Sequence, residues 1–215
     1  MYTDGEVKGP FGMIQKISGL PTLQFTATTV VEDIEKCVTM EVKVPGDLVY
    51  VSGETRDELG AGEYYQMMNW VGLNVPKVDA EKVIPLYHAL YQAMQDGLVA
   101  SCHAVGRGGL GVHLALCAMG GNLGMDIDLR SVPLEARLSN TRLLYSESAG
   151  RFIVTVDPKN KGAFEDLMGG LDCACIGRVI DAGILQVSGI HSNIIIKEKI
   201  GDLKDAWKEP FGDLV

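Results

Sequence analysis

Leu98-Val-Ala-Ser-Cys-His-Ala-Val105, Gly106-Arg-Gly-Gly-Leu-Gly111 and the run on to Met119 decide how this chain folds. An apolar stretch, Leu98–Val105, leads into a cluster of glycines. A helix-like stretch, Leu110–Met119, leaves it and stops at Gly120-Gly121. A strand that ends in glycines and restarts as a helix aims free backbone N–H groups at one spot, and the helix dipole adds partial positive charge there. Gly106, Arg107, Gly108 and Gly109 are therefore candidate phosphate contacts, with Arg107 as a forked cationic donor. The same residues also suit a tight βα turn that needs glycine only for its backbone angles. The turn by itself leaves both readings open.

Outward from the turn, strand and helix signals alternate. Leu48–Ser52, Met125–Leu129, Phe152–Val156, Cys173–Ile180, Ile184–Val187 and Ile194–Ile196 read as strands. Thr22–Val31 and Val38–Val42 do so too, while residues 1–20, with Pro10 and Gly12, read as a loop. Asp79 caps a helix whose apolar stripe is Val83, Leu86, Tyr87, Leu90, Tyr91 and Met94. Pro85 sits late for a first-turn proline, which could shift the start of that helix. Leu59–Trp70, Ala163–Met168 and Asp202–Trp207 have shorter helical character. Short connections between the late strands predict an α/β fold with a mixed sheet flanked by helices.

Composition narrows the function. The chain has 215 residues, 47% hydrophobic and 22% charged, and a net charge of −9. That acidic balance excludes a general nucleic-acid binder, which needs a positive field to release counterions. No apolar run approaches the ~18 residues of a membrane span. Cys37, Cys102, Cys117, Cys173 and Cys175 are odd in number and form no regular framework, which fits a reducing, cytoplasmic setting. No second cysteine or histidine pair stands near Cys173 and Cys175, so no zinc site is expected.

Two further stretches carry chemistry-bearing residues. Gly53–Tyr65 places Thr55, Glu58 and small residues at a strand end, as a ligand loop or as a packed helix start. Tyr145–Arg151 offers Glu147, able to reach a phosphate-bridging metal, and Arg151, able to pair with phosphate; a solvated Glu–Arg loop is the other reading. Cys102 and His103 alternate across a strand, which is poor geometry for a thiolate–imidazole pair. His88 and His113 fall on helical stretches as packing residues, and His191 in a turn. Asp126 and Asp128 share one face of a strand, as a metal pair or, the preferred reading, as the solvent side of an edge strand. No catalytic residue and no metal ligand is assigned.

Together the three stretches resemble the C-terminal domain of the aminoimidazole ribonucleotide synthetase superfamily, and are most similar to the second half of the phosphoribosylformylglycinamidine synthases. That family carries Glu-Leu-Gly-Gly-Ser-Glu-Tyr, His-Asp-Val-Ser-Asp-Gly-Gly-Leu and Phe-Ser-Glu-Ser-x-Gly-Arg. Here they stand as Glu58–Tyr64, His103–Leu110 and Tyr145–Arg151, with Ile176-Gly-Arg-Val179 like a late family strand. The resemblance runs from about Thr22 to Trp207. It implies that residues 1–36 are the tail of a preceding nucleotide-binding domain and that 37–215 form the C-terminal α/β domain. It also implies an ATP- and Mg2+-dependent purine-biosynthesis ligase turning an amide into an amidine with ammonia from glutamine. Its catalytic ATP site would lie mainly in N-terminal domains, leaving this part inactive when isolated. Implied partners are those domains, a glutaminase component and a second copy of the chain. Gly106, Arg107, Gly108, Gly109, Glu147 and Arg151 would line the cleft toward the neighbouring domain.

The departures point elsewhere. Ala104 and Arg107 replace the two aspartates of the family turn, and Ala61-Gly62 replaces its Gly-Ser pair. Losing two carboxylates weakens a magnesium site more than a bare phosphate contact. Arg107-Gly108-Gly109 also resembles the turn of the superfamily's hydrogenase-maturation branch. A non-catalytic structural or assembly module is the alternative of a different class.

Overall fold

The computed structural model describes residues 3–19 and 24–214. They fall into two compact units, one within residues 1–34 and one within 35–215. In the first, β1 (Thr3–Lys8) and β2 (Ile14–Gly19) pair antiparallel, Thr3 opposite Gly19 and Lys8 opposite Ile14. Where a loop is expected over residues 1–20, the described residues 3–19 form a hairpin with Pro10–Gly12 at its bend; residues 1, 2 and 20 lie outside the described residues. The strand expected over Thr22–Val31 is absent from 24–31, and Thr22 and Leu23 lie outside the described residues.

The second unit runs β3 (Leu48–Ser52), α1 (Glu63–Met67), α2 (Ala80–Gln95), β4 (Ser101–Val105), α3 (Gly109–Gly121), β5 (Gly124–Asp128), α4 (Asn140–Tyr145), β6 (Arg151–Val156), α5 (Lys161–Leu167), β7 (Cys173–Ile180), β8 (Ile184–Ser188), β9 (Ile194–Lys199) and α6 (Ile200–Lys208). The seven strands form one mixed sheet ordered β4-β6-β3-β7-β5-β8-β9. Only β5 and β8 pair parallel. The expected α/β class with a mixed sheet flanked by helices is therefore what the chain forms.

Alternation along β3 explains the layers. Val49 and Val51 face one core with Ile153 of β6, Leu110, Leu114 and Cys117 of α3, Leu143 of α4 and Ile200 of α6. Tyr50 faces the opposite core with Val154, with Leu86, Leu90 and Ala93 of α2, and with Phe164 of α5. Both sides of β3 are dry, which accounts for its apolar run. Leu110 and Leu114 are fully buried, and truncating such a leucine costs about 2–5 kcal/mol. Tyr50 adds an edge-on contact to Phe164 at 4.9 Å and donates its hydroxyl to Glu165 at 2.9 Å.

Local signals account for most element ends. The Asp79 carboxylate accepts the Glu81 N–H at 3.1 Å, and α2 starts at Ala80 and runs through Pro85; the proline does not delay it. Val38–Val42 forms no strand: it is tied down by Cys102 N–H to the Thr39 carbonyl and Val42 N–H to the Cys117 carbonyl. Helix over Leu59–Trp70 shrinks to Glu63–Met67. β5 lies inside the sheet between β7 and β8, so Asp126 and Asp128 are not on an edge strand. Asp128 instead pairs with Arg130, and Asp126 accepts from Gln186. All five cysteines are free. Among the described residues no helix is long and apolar enough to cross a membrane.

Candidate anion site at the glycine-rich turn

β4 ends at Val105 and α3 begins at Gly109, so the glycine-rich turn sits at the mouth of a strand–turn–helix unit, as the sequence implied. Gly108 and Gly109 have φ of +89° and +73°. A Cβ on Gly109 would stand 2.7 Å from the carbonyl oxygens of Leu144 and Ser146. Glycine is therefore required there twice, for its backbone angle and for the close approach of the segment after α4.

That approach brings in the third stretch. Glu147 Oε1 accepts the Gly108 N–H at 2.9 Å and the Glu63 N–H at 2.7 Å. A single carboxylate oxygen thus fills the convergence point of two backbone donors, where charge-assisted hydrogen bonds are strongest. The other glycine amides are also engaged: Gly106 N–H donates to His113 Nε2 at 2.9 Å, and Gly109 N–H to the Gly106 carbonyl. The Arg107 guanidinium is exposed and pairs with Glu63. Gly106, Arg107, Gly108, Gly109 and Glu147 are therefore brought together, with Glu147 taking the Gly108 and Glu63 N–H donors.

Arg151 is set apart from them. It is 1% exposed and donates from Nη1 to Thr55 Oγ1, from Nε to the Ser148 carbonyl and from Nη2 to the Ser146 carbonyl. Burial pulls its guanidinium down to about 10, opposed by the nearby Glu58 charge. Its donors face inward, away from the cleft expected for it. They bind the first stretch to the third, with Glu58 N–H on Ser146 Oγ, Glu147 N–H on the Glu58 carbonyl and Arg56 N–H on Ser148 Oγ. Glu58 itself is 3% exposed, its Oε1 accepting the Lys77 N–H.

Sequence reasoning missed two parts of the site. His113, read as a packing residue, instead touches His103: its Nδ1 lies 2.7 Å from Nε2 of His103. His113 falls early in α3, where a side chain reaches back over the preceding turn, and that spacing was the available signal. Tyr64 and Tyr145 stack at 5.0 Å and join the first and third stretches from outside; nothing in their spacing shows it.

A divalent cation does not fit these residues. Ala104 and Arg107 supply no carboxylate, and Glu147 Oε1 is already shared by two N–H donors. Among the described residues no three His, Cys, Asp or Glu side chains form a metal-holding group.

A mixed sheet with helices on both faces, and two loops locked around a strand–turn–helix, define an α/β domain of the aminoimidazole ribonucleotide synthetase kind. The chain belongs to the family "AIR synthase related protein, C-terminal domain", whose model matches residues 44–190. It is 34% identical over 190 residues to the phosphoribosylformylglycinamidine synthase subunit PurL of Limosilactobacillus reuteri, a match covering 88% of this chain and 24% of that protein. It therefore spans about a quarter of that relative's length. Thermotoga maritima PurL complexed with FGAR superposes on 79% of this chain and 30% of its own, with TM-score 0.72 and 20% identity. HypE in a HypE–HypF complex superposes on 75% of this chain and 55% of its own, with TM-score 0.58 and 19% identity. The two structural likenesses speak to the fold alone.

Proposed function

We propose that this chain is the C-terminal domain of a phosphoribosylformylglycinamidine synthase and that it supports catalysis without performing it. The observation that carries the second half of this reading is Glu147 seated on the Gly108 and Glu63 amides. A turn whose donors are spent on its own carboxylate organises loops; it does not polarise a transferring phosphoryl group. Identity to PurL carries the first half.

In the intact protein the amide oxygen of formylglycinamide ribonucleotide takes the γ-phosphoryl group of ATP, releasing ADP. Ammonia then attacks the activated carbon and phosphate leaves, giving the amidine. Solved complexes of the T. maritima relative with FGAR and with ATP are consistent with that substrate pair. ATP and Mg2+ belong, on this reading, to nucleotide-binding domains that precede this one, with residues 1–36 as their tail. Ammonia comes from a glutaminase component, in keeping with a relative solved as PurLQS. The exposed Arg107 is the group of this chain best placed to meet a phosphate at the domain cleft.

The test uses the native protein, isolated from its source with an antibody raised against this chain. A species far larger than 23.2 kDa that releases ADP only with both formylglycinamide ribonucleotide and ammonia is the expected result. ADP release indifferent to that substrate overturns the reading. The Arg107-Gly108-Gly109 turn favours one rival, a hydrogenase-maturation protein. Loss of hydrogenase activity on gene disruption, without a purine requirement, would select it.

A further inference from the structure

The ligase chemistry makes no use of the two histidines that meet behind the turn. His103 projects from β4 and His113 from the start of α3, their ring centres 4.8 Å apart. Nε2 of His113 receives the Gly106 N–H at 2.9 Å and also lies 3.2 Å from the Arg107 carbonyl oxygen. A backbone N–H only donates, which assigns the protons of the group when both rings are neutral. Nε2 of His113 carries a lone pair, its Nδ1–H donates to Nε2 of His103, and His103 holds its own proton on Nδ1.

We propose that this pair is a proton-operated latch on the Gly106–Gly109 turn: neutral His113 holds the Gly106 N–H inward, and a proton on its Nε2 releases that N–H and binds the Arg107 carbonyl instead. One proton arrives from solvent and only hydrogen bonds change. The outcome is one freed backbone donor and one added positive charge beside the turn. The consequence for anions rests on reading this turn as anion-facing; the latch itself does not.

The groups facing the His113 ring set the direction. His103 approaches from β4, Arg151 from β6, and Glu147 from the loop after α4; the Arg107 guanidinium of the turn is drawn off to Glu63 of α1. Burial and then the His103 charge disfavour the imidazolium, with Arg151 adding to them; the Arg107 carbonyl and Glu147 favour it. The balance holds His113 below its ordinary 6.5, and burial does the same to His103. The latch is closed at neutral pH and opens in acid.

The test is an NMR titration of the labelled, ligand-free chain from about pH 8 to about pH 4.5, following both imidazoles and the Gly106 amide. The expected result is an unprotonated His113 Nε2 at the start, a midpoint below 6.5, and a Gly106 amide shift with the same midpoint. A Gly106 amide that stays fixed while His113 titrates overturns the latch, as does a proton on Nε2 at the start. In His113→Gln the amide keeps an acceptor that does not titrate, so its pH response should vanish. A persisting response also overturns the proposal, and if the variant fails to fold the wild-type titration decides alone. Sulfate then probes the consequence. Binding should be roughly fivefold tighter in acid, about what one charge ~4 Å away gives in water, and unchanged by pH in His113→Gln. No sulfate binding at either pH, with Gly106 still titrating, removes the anion reading and leaves the latch standing.

Discussion

Glu147 accepts the Gly108 N–H at 2.9 Å, so a side chain 39 positions further along takes a backbone donor of the strand–turn–helix. The same oxygen takes the Glu63 N–H. One carboxylate thereby closes the turn and pins the start of α1 to it.

Glu147→Ala should lose about 1.5–3 kcal/mol of folding stability, since two backbone donors lose a charged acceptor. The vacated donors should then accept an added anion. Sulfate or pyrophosphate is expected to raise the thermal midpoint of the variant more than that of the wild type. Equal responses would show that the position is not an anion cradle.

Arg151→Met should cost about 1–3 kcal/mol, because it leaves three buried oxygen acceptors, on Thr55, Ser146 and Ser148, without their donor. Lysine should rescue little, since it lacks the fork that reaches Thr55, Ser146 and Ser148 together. Urea unfolding checks both; a loss under about 1 kcal/mol would mean the guanidinium is not holding the loops.

Ala61 adopts φ +56°, in the left-handed region that costs a non-glycine residue about 1 kcal/mol. Ala61→Gly should therefore stabilise the domain by roughly 0.5–1 kcal/mol, raising the midpoint by about 1–4 °C. A lower midpoint would show that this residue is not strained.

Arg107→Ala should leave stability within about 0.5 kcal/mol, as its ion pair with Glu63 is exposed. In the intact protein the same change should weaken binding of a phosphorylated ligand. An unchanged dissociation constant removes Arg107 from the site.

His103 and His113 both titrate below 6.5 when folded. Unfolded, their rings take up protons first as pH falls. The unfolded state then holds more protons than the native one, so stability drops as pH falls through 6.5 and is insensitive to these rings well above it. The double variant His103→Gln, His113→Gln should show a flatter stability profile between about pH 7 and pH 5 in urea titrations. An unaltered profile would mean the pair titrates normally.

How much of this was legible in the sequence depends on how local each signal is. Leu98–Met119 read correctly in order as strand, turn and helix because glycine chemistry and periodicity are written in adjacent residues, although the strand starts only at Ser101 and the helix runs on through Gly120-Gly121, which read as its stop. Asp79 announced α2 for the same reason. Val38–Val42 looked like a strand through β-branching, yet β-propensity says nothing about whether a partner strand exists. The hairpin of residues 3–19 was hidden by its own turn residues. Helix α4 was missed because it is six residues long, although the Ser139 hydroxyl before it accepts the Arg142 N–H. The three stretches were picked out individually. What joins them, Glu147 to Gly108 and Arg151 to Thr55, depends on side chains meeting across long separations, and no window on the sequence contains both partners.

The strand order has a consequence for synthesis. β3, β4 and β5 are made first, and none of them neighbours another in the sheet β4-β6-β3-β7-β5-β8-β9. Both neighbours of β3, and the strand that flanks β4, lie beyond residue 150. A ribosome that has delivered the glycine-rich turn has delivered no paired strand of this sheet. The growing polypeptide must hold β3, whose two sides are both buried in the finished sheet, without a partner strand until Arg151–Ile180 emerges.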